Sequence, residues 1–129
     1  MTVLLDTSVF LWCITGQQSK LSARALQVIE DPTTKLWLSV ASLWEIVLKV
    51  RAGKLVLPQR ADFFQAHMGQ LGIERVLPVE TAHVLADFGL PHYHRDPFDR
   101  LLIAQAQVEG VPFVTGDSQF QKYKIRVVW

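Results

Sequence analysis

Short apolar runs alternate along the chain with longer segments of helical periodicity. Val3–Leu5 is uninterrupted apolar sequence, as expected of a buried strand. Asp6–Ser8 then offers capping chemistry ahead of an apolar segment, Val9–Ile14, read as a helix. Gly16–Lys20 is a polar loop. Ser22 is placed to cap a helix from Ala23 to about Asp31, which Pro32 stops. Lys35–Ser39 alternates in the manner of a second strand. Leu43, Ile46, Val47 and Val50 fall at i, i+3, i+4 and i+7, which predicts a helix capped by Ser42 and ended by Gly53. Residues 58–72 predict another, with Pro58 near its start and Gly72 at its end. Arg75–Val79 is the expected third strand, Glu80–Phe88 a short helix closed by Gly89, and Pro97–Glu109 a helix with Gly110 past its end. Pro112–Thr115 and Ile125–Trp129 read as strands, with a turn into a short helix between them. Strands and helices alternate throughout, which predicts an α/β fold with a mostly parallel central sheet. No repeat, low-complexity tract or Ser/Gly linker divides the 129 residues, so residues 1–129 are expected to form one domain.

Composition narrows the function classes. Half of the residues are hydrophobic and 19% are charged. Such a balance fits either apolar surface reserved for a partner or an efficiently filled core. Net charge is +1 and the isoelectric point about 7.9, so no broad basic footprint announces nucleic-acid binding. Any such binding has to come from a local site. The single cysteine, Cys13, excludes an internal disulfide and suits a reducing compartment. Its neighbours Leu11, Trp12 and Ile14 mark it as a small buried hydrophobe. The apolar N-terminus lacks a positive leader region and is interrupted by Asp6, and no segment approaches the roughly 18 apolar residues of a membrane span. The expectation is a cytoplasmic protein with no membrane partner.

Four carboxylates share one address. Asp6 follows the first strand, Glu45 is expected in the first turn of the helix after the second, Asp99 in the first turn of the Pro97 helix, and Asp117 after Pro112–Thr115. In open parallel sheets, sites form beyond the carboxyl ends of the strands. Each acid also has a plain structural reading. Asp6 and Asp117 fit N-caps, Ser42-x-x-Glu45 matches a capping box, Asp96-x-x-Asp99 resembles one, and Glu45 stands four before Lys49. Taken together, four acids at one edge repel one another unless a cation neutralises them. All-oxygen ligands suit Mg²⁺ or Mn²⁺. Zinc fits poorly, because His92 and His94 have no Cys or further His at useful spacing, and His67 and His83 lie in helical segments where they pack or face solvent. Acid-bound Mg²⁺ points to phosphoryl chemistry. A Walker nucleotide loop is missing, and no Ser-His-Asp or Cys-His arrangement has supporting context.

These residues resemble a known family. "LLDTSVFLW" (Leu4–Trp12), "LSVASLWEIVLKVRAGKL" (Leu38–Leu55), "HRDPFDRLLIAQA" (His94–Ala106) and "VTGDSQF" (Val114–Phe120) are similar, in order and spacing, to the PIN-domain ribonucleases of the VapC type, toxins of prokaryotic toxin–antitoxin pairs. The resemblance implies a three-layer α/β fold and a Mg²⁺- or Mn²⁺-dependent endoribonuclease. Asp6, Glu45, Asp99 and Asp117 match the family's acidic quartet. Asp6 and Asp99 would be direct metal ligands, with Glu45 and Asp117 binding directly or through water, and a metal-activated water would attack the phosphodiester of an RNA substrate. The resemblance also implies homodimers, or a higher assembly, and inhibition by a cognate antitoxin. Trp12, Trp44, Phe63 and Phe64 are then candidates for an antitoxin groove, with burial in the core as the alternative. Thr7, Ser8 and Thr115 border the acids, as orienters of ligands or water or as caps. Arg95, Arg100, Lys49 and Arg51 are candidates for RNA phosphates, Arg100 first because it adjoins Asp99; solvated helix charge is the alternative. Two other functions stay open at this point: a catalytically silent PIN scaffold, and an RNA-processing PIN nuclease without an antitoxin. Asp96, just before Pro97, is expected to be the helix cap that aims Asp99. Gly116 is expected to loosen the loop that carries Asp117.

Overall fold

The computed structural model describes residues 1–129. Five strands form one sheet: β1 (Thr2–Leu5), β2 (Lys35–Ser39), β3 (Ile73–Leu77), β4 (Phe113–Val114) and β5 (Val127–Val128). Six α-helices surround it: α1 (Thr7–Ile14), α2 (Ala23–Glu30), α3 (Val40–Arg51), α4 (Ala61–Leu71), α5 (Thr81–Ala86) and α6 (Pro97–Glu109). The strand order is β3-β2-β1-β4-β5, and all four pairings are parallel. The chain runs outward from β1 to β3, then crosses to the other side of β1 for β4 and β5. The order therefore reverses at β1 and β4, whose carboxyl ends form the crevice where parallel sheets place their sites.

β1 explains the layers. Its side chains alternate between faces, as a strand requires. Leu4 joins Leu102, Ile103, Phe113 and Phe120 in a core under α5 and α6. Val3 and Leu5 join Val9, Ala25, Val28 and Ile29 in a second core under α1 and α2. A third, smaller cluster of Phe10, Leu38 and Ile46 locks α1 and α3 together, with Phe64 and Met68 of α4 against it. Each fully buried Leu, Ile or Phe contributes about 1.5–3 kcal/mol. The floor on which the acids stand is therefore a rigid one.

Several boundaries differ from the sequence expectations, each for a local reason. α3 starts at Val40, capped by Ser39, whose Oγ accepts the Ala41 amide at 3.0 Å. The expected Ser42 cap and the Ser42-x-x-Glu45 box do not form. Ser42 is buried and accepts the Thr7 hydroxyl at 2.9 Å, and Glu45 sits in the second turn. Strand β2 runs straight into the helix, so the polar residue at the junction caps it. β3 begins two residues early, directly after Gly72, whose φ of +83° ends α4 in the left-handed region. Pro78 stops β3, because it has no N–H for the ladder. Pro58 lies outside α4, which starts at Ala61.

Candidate active site

The four carboxylates do converge. One cleft of about 350 Å³ at the switch point is lined by Asp6, Glu45, Asp99 and Asp117, with Ser8 and Trp12 also on its wall. Asp6 ends β1 and precedes α1, yet its side chain makes no cap bond. The cap reading of Asp6 is thus overturned: its Oδ2 accepts the Thr115 hydroxyl at 2.7 Å across the β1–β4 junction. Asp6 is only 7% exposed. Burial pushes its carboxyl up to about 6, and the charges of Glu45 and Asp117 add to the rise, while the Thr115 hydroxyl and the Thr7 amide pull down. Thr7 and Thr115 are both buried, whereas Ser8 is exposed at the mouth.

Glu45 reaches the cleft from α3 and is 6% exposed. Its Oε2 pairs with Lys49 Nζ at 2.8 Å, one turn on. That hydrogen bond raises the Lys49 ammonium. Glu45 Oε1 is buried with no hydrogen-bond partner. Such an orphan oxygen is uncommon in a folded protein, because it forfeits hydration for nothing.

Asp99 lies in the first turn of α6, and its Oδ2 is 2.9 Å from His94 Nε2. Burial, then the charges of Asp6 and Asp96, raise it to about 7, while His94 lowers it. Asp117 has its side chain 39% exposed. Its Oδ1 accepts the Gln119 amide at 2.9 Å, capping the 3₁₀ turn Ser118–Lys122, and its Oδ2 is 3.3 Å from the same His94 Nε2. The Asp117 amide donates to Thr115 Oγ1 at 3.1 Å, so one threonine ties together the acids that follow β1 and β4.

Asp96 caps α6, as its place before Pro97 predicts: its Oδ1 accepts the amides of Phe98 at 2.8 Å and Asp99 at 3.1 Å. The reciprocal half of a capping box is not made by Asp99, because the Asp96 amide donates to His94 Nδ1 at 3.2 Å. Asp99 is thereby left free for the cleft.

Two expectations need correction. Arg100 adjoins Asp99 in sequence but turns away from the acidic cleft, so it is not placed there to meet a phosphate. It is 7% exposed. Its Nε donates to Asp87 Oδ1 at 2.8 Å, and its two terminal nitrogens to the carbonyls of Pro91, His94, Asp87 and Leu90. A helix residue next to Asp99 turns about 100° around the axis, so Arg100 staples the 87–94 loop instead. Gly116 does not loosen the Asp117 loop either. A Cβ there would lie 2.7 Å from Trp129 Cζ2, so the missing side chain admits the Trp129 indole, which in turn packs 6.3 Å from the Trp12 ring.

His94 is the residue that sequence reasoning missed. The sequence offers it no Cys or His partner at useful spacing, but its partners are aspartates. His94, Asp99 and Asp117 offer ligand-type atoms within 4.8 Å of one another. The one signal in the sequence is its place two residues before a capping aspartate, from which its ring can reach the Asp96 amide. His83, expected to pack or face solvent, is buried; its Nδ1 accepts the Glu80 amide at 3.0 Å at the start of α5.

The donor set fits a hard divalent cation. Four carboxylates share a cleft, two of them held above their ordinary range, and one buried oxygen lacks a partner. A positive ion answers all three conditions at once. The sequence matches the PIN domain family over residues 3–125. The chain belongs to the PIN domain family. Chains of known structure share its architecture. VapBC2 from Rickettsia felis, bound to a DNA fragment of its promoter, matches with a TM-score of 0.67 at 14% identity, over 98% of this chain and 97% of that one. DNA-bound VapBC from Salmonella typhimurium matches with a TM-score of 0.68 at 19% identity, over 98% and 96%. VapBC-5 of Mycobacterium tuberculosis, from the VapBC family of toxin–antitoxin systems, matches with a TM-score of 0.62 at 19% identity, over 98% and 97%. At these identities the likeness is one of fold. No curated protein matches the sequence. No helix of this PIN domain is long and apolar enough to cross a membrane.

Proposed function

We propose that residues 1–129 form one PIN-like domain that acts as a Mg²⁺- or Mn²⁺-dependent endoribonuclease, the VapC-type toxin of a type II toxin–antitoxin pair in the cytoplasm. One observation carries the reading: four acids from separate elements line one cleft, with Glu45 Oε1 buried and unpartnered among them. Such a cleft repels a phosphodiester until a cation enters. Asp6, Asp99, Glu45 and Asp117 would hold the ion, which supplies Lewis-acid chemistry for hydrolysis by water. Thr115 fixes Asp6 and the Asp117 loop. Thr7 ties α1 to α3 through Ser42. Ser8 and Lys49, both on the cleft wall and both exposed, are placed to meet the sugar-phosphate backbone. The resemblance to PIN ribonucleases supports RNA as the substrate.

An antitoxin partner is supported by the VapBC folds and by the surface of this chain. A second cleft, of about 380 Å³ and without acids, lies between α3 and α4 against Val47, Val50, Pro58 and Phe64. Trp44, one turn before Val47 on α3, is 52% exposed. Trp12 and Phe64 pack partly against the core, so of the four aromatics proposed for the groove Trp44 is the most open. A homodimer, alone or within the antitoxin assembly, completes the proposal.

Sequencing RNA ends after induced expression tests the activity. New ends are expected with the native chain and not with Asp99→Asn. Identical end profiles for the two would remove the nuclease reading and leave a binding module.

A further inference from the structure

His94 is bonded to two of the four acids but does not line their cleft. It lines a neighbouring hollow with Tyr93, Arg95 and Gln119, and so approaches the carboxylates from outside. Its Nε2 is 2.9 Å from Asp99 Oδ2 and 3.3 Å from Asp117 Oδ2. Its Nδ1 accepts the Asp96 amide at 3.2 Å. That last contact decides the tautomer. Nδ1 keeps its lone pair, so in the neutral ring Nε2 carries the hydrogen and is a donor. A protonated Nε2 cannot ligate a cation, but it can hold two carboxylates that would otherwise repel.

The backbone of His94 is held as well as its ring. The His94 amide donates to the Tyr123 hydroxyl at 2.7 Å, and its carbonyl accepts from Arg100 at 3.3 Å. Phe120 meets the ring edge-to-face with centroids 5.5 Å apart. Tyr123 in turn donates to the Pro91 carbonyl at 2.9 Å, another of the groups that Arg100 binds. This is more support than a surface histidine needs, and it is what a group that sets the geometry of others requires.

We propose that His94 is a positioning residue for the metal site. Its Nε2–H clasps Asp99 and Asp117 by their Oδ2 atoms and keeps them at a spacing a divalent cation can enter. The inference rests on the metal-dependent reading above, whose independent sign is the unpartnered Glu45 oxygen. Partners that orient ligating groups typically change metal affinity about 10–100-fold when removed.

Two variants separate this role from a merely structural one. Asn carries an acceptor near the place of Nδ1, so His94→Asn keeps the Asp96 tie but loses the donor to the acids. Gln extends an amide N–H toward the place of Nε2, so His94→Gln keeps the donor. In calorimetric titrations with Mn²⁺, His94→Asn is expected to bind about 10–100-fold more weakly than the native chain, and His94→Gln to recover most of that loss. Equal affinity of His94→Asn and the native chain overturns the proposal. Complete loss in both variants, each still folded, makes His94 a ligand and overturns it too. A native chain that takes up no Mn²⁺ removes the metal reading and this one with it, so the two failures are told apart by the native titration alone. Ring ¹⁵N chemical shifts of the metal-free native protein add a test independent of any variant: a hydrogen on Nε2 is expected, and a hydrogen on Nδ1 refutes the clasp.

Discussion

Asp6 and Glu45 are built into the core, whereas Asp99 and Asp117 are held at the rim. The inner pair stands on the end of β1 and within α3, nearly without solvent, fixed by a threonine hydroxyl and a lysine. The outer pair stands on the first turn of α6 and on a loop, joined through His94. Burial is the first cause of the raised carboxyl in both Asp6 and Asp99, but Asp99, which is less buried, rises further, to about 7 against about 6. Asp99 faces the charges of Asp6, Asp96 and Glu45, whereas hydrogen bonds from Thr115 and Thr7 hold Asp6 back. Asp6 therefore resists ionisation chiefly by desolvation, and Asp99 by desolvation plus crowding.

The strongest test of that contrast is to neutralise one acid from each half. Asp6→Asn and Asp99→Asn are each expected to reduce RNA cleavage by about 10²–10³-fold or more, the scale of losing one preorganised electrostatic group. Their effects on the metal-free fold should differ. Asp99→Asn relieves more like-charge repulsion, so it should raise the thermal midpoint more than Asp6→Asn does. Equal gains would break the comparison.

Acidity comes next. Raised carboxyls mean that the folded, metal-free protein binds protons which the unfolded chain, near pKa 4, has released. The stability these two groups contribute is therefore full below about pH 4 and lost as pH rises through 6 and 7. The thermal midpoint of chelator-treated protein should climb between pH 8 and pH 5.5, and the climb should flatten in the Asp6→Asn/Asp99→Asn double variant. Metal binding has the opposite sign, since the ion needs carboxylates. Mn²⁺ affinity should fall, on the order of a hundredfold, over the same change of pH, since both carboxyls must be ionised to bind it.

Smaller effects sharpen the outer half. Arg100→Ala strands several carbonyls of the 87–94 loop and should reduce stability by about 2–4 kcal/mol in denaturant unfolding. Arg100→Lys should restore only part of this, because an ammonium cannot span five acceptors. Asp96→Ala removes a cap that serves two amides and should reduce stability by about 0.5–2 kcal/mol. Its Mn²⁺ affinity should stay much closer to native than that of Asp99→Ala; equal losses would erase the distinction between cap and ligand.

The sequence made the inner half easier to see than the outer. Asp6 follows an apolar run that fits a buried strand, and Glu45 sits on a helix whose apolar stripe is plain at Leu43, Ile46 and Val50. Both are fixed by periodicity, and periodicity is visible in one dimension. Alternating runs predict a mostly parallel sheet in the same way, and the structure makes every pairing parallel. The outer half depends on contacts that close a loop. Arg100 looked like a free cation because nothing nearby in sequence predicts that five acceptors of the 87–94 segment turn toward it. His94 looked idle because its partners, Asp99 and Asp117, come from two elements that meet only when β4 docks beside β1. Ser42 misled for a related reason: a residue that matches a cap pattern on paper was needed instead to receive the Thr7 hydroxyl from α1.

Trp129 and Gly116 share a single volume, in which the indole stands where a side chain at 116 would be. The two positions form a size-exchange pair. A side chain at 116 has to displace that ring, so a smaller residue at 129 eases a larger one at 116. For protein engineering this ties position 129 to the residue just before Asp117, while every carboxylate keeps its identity.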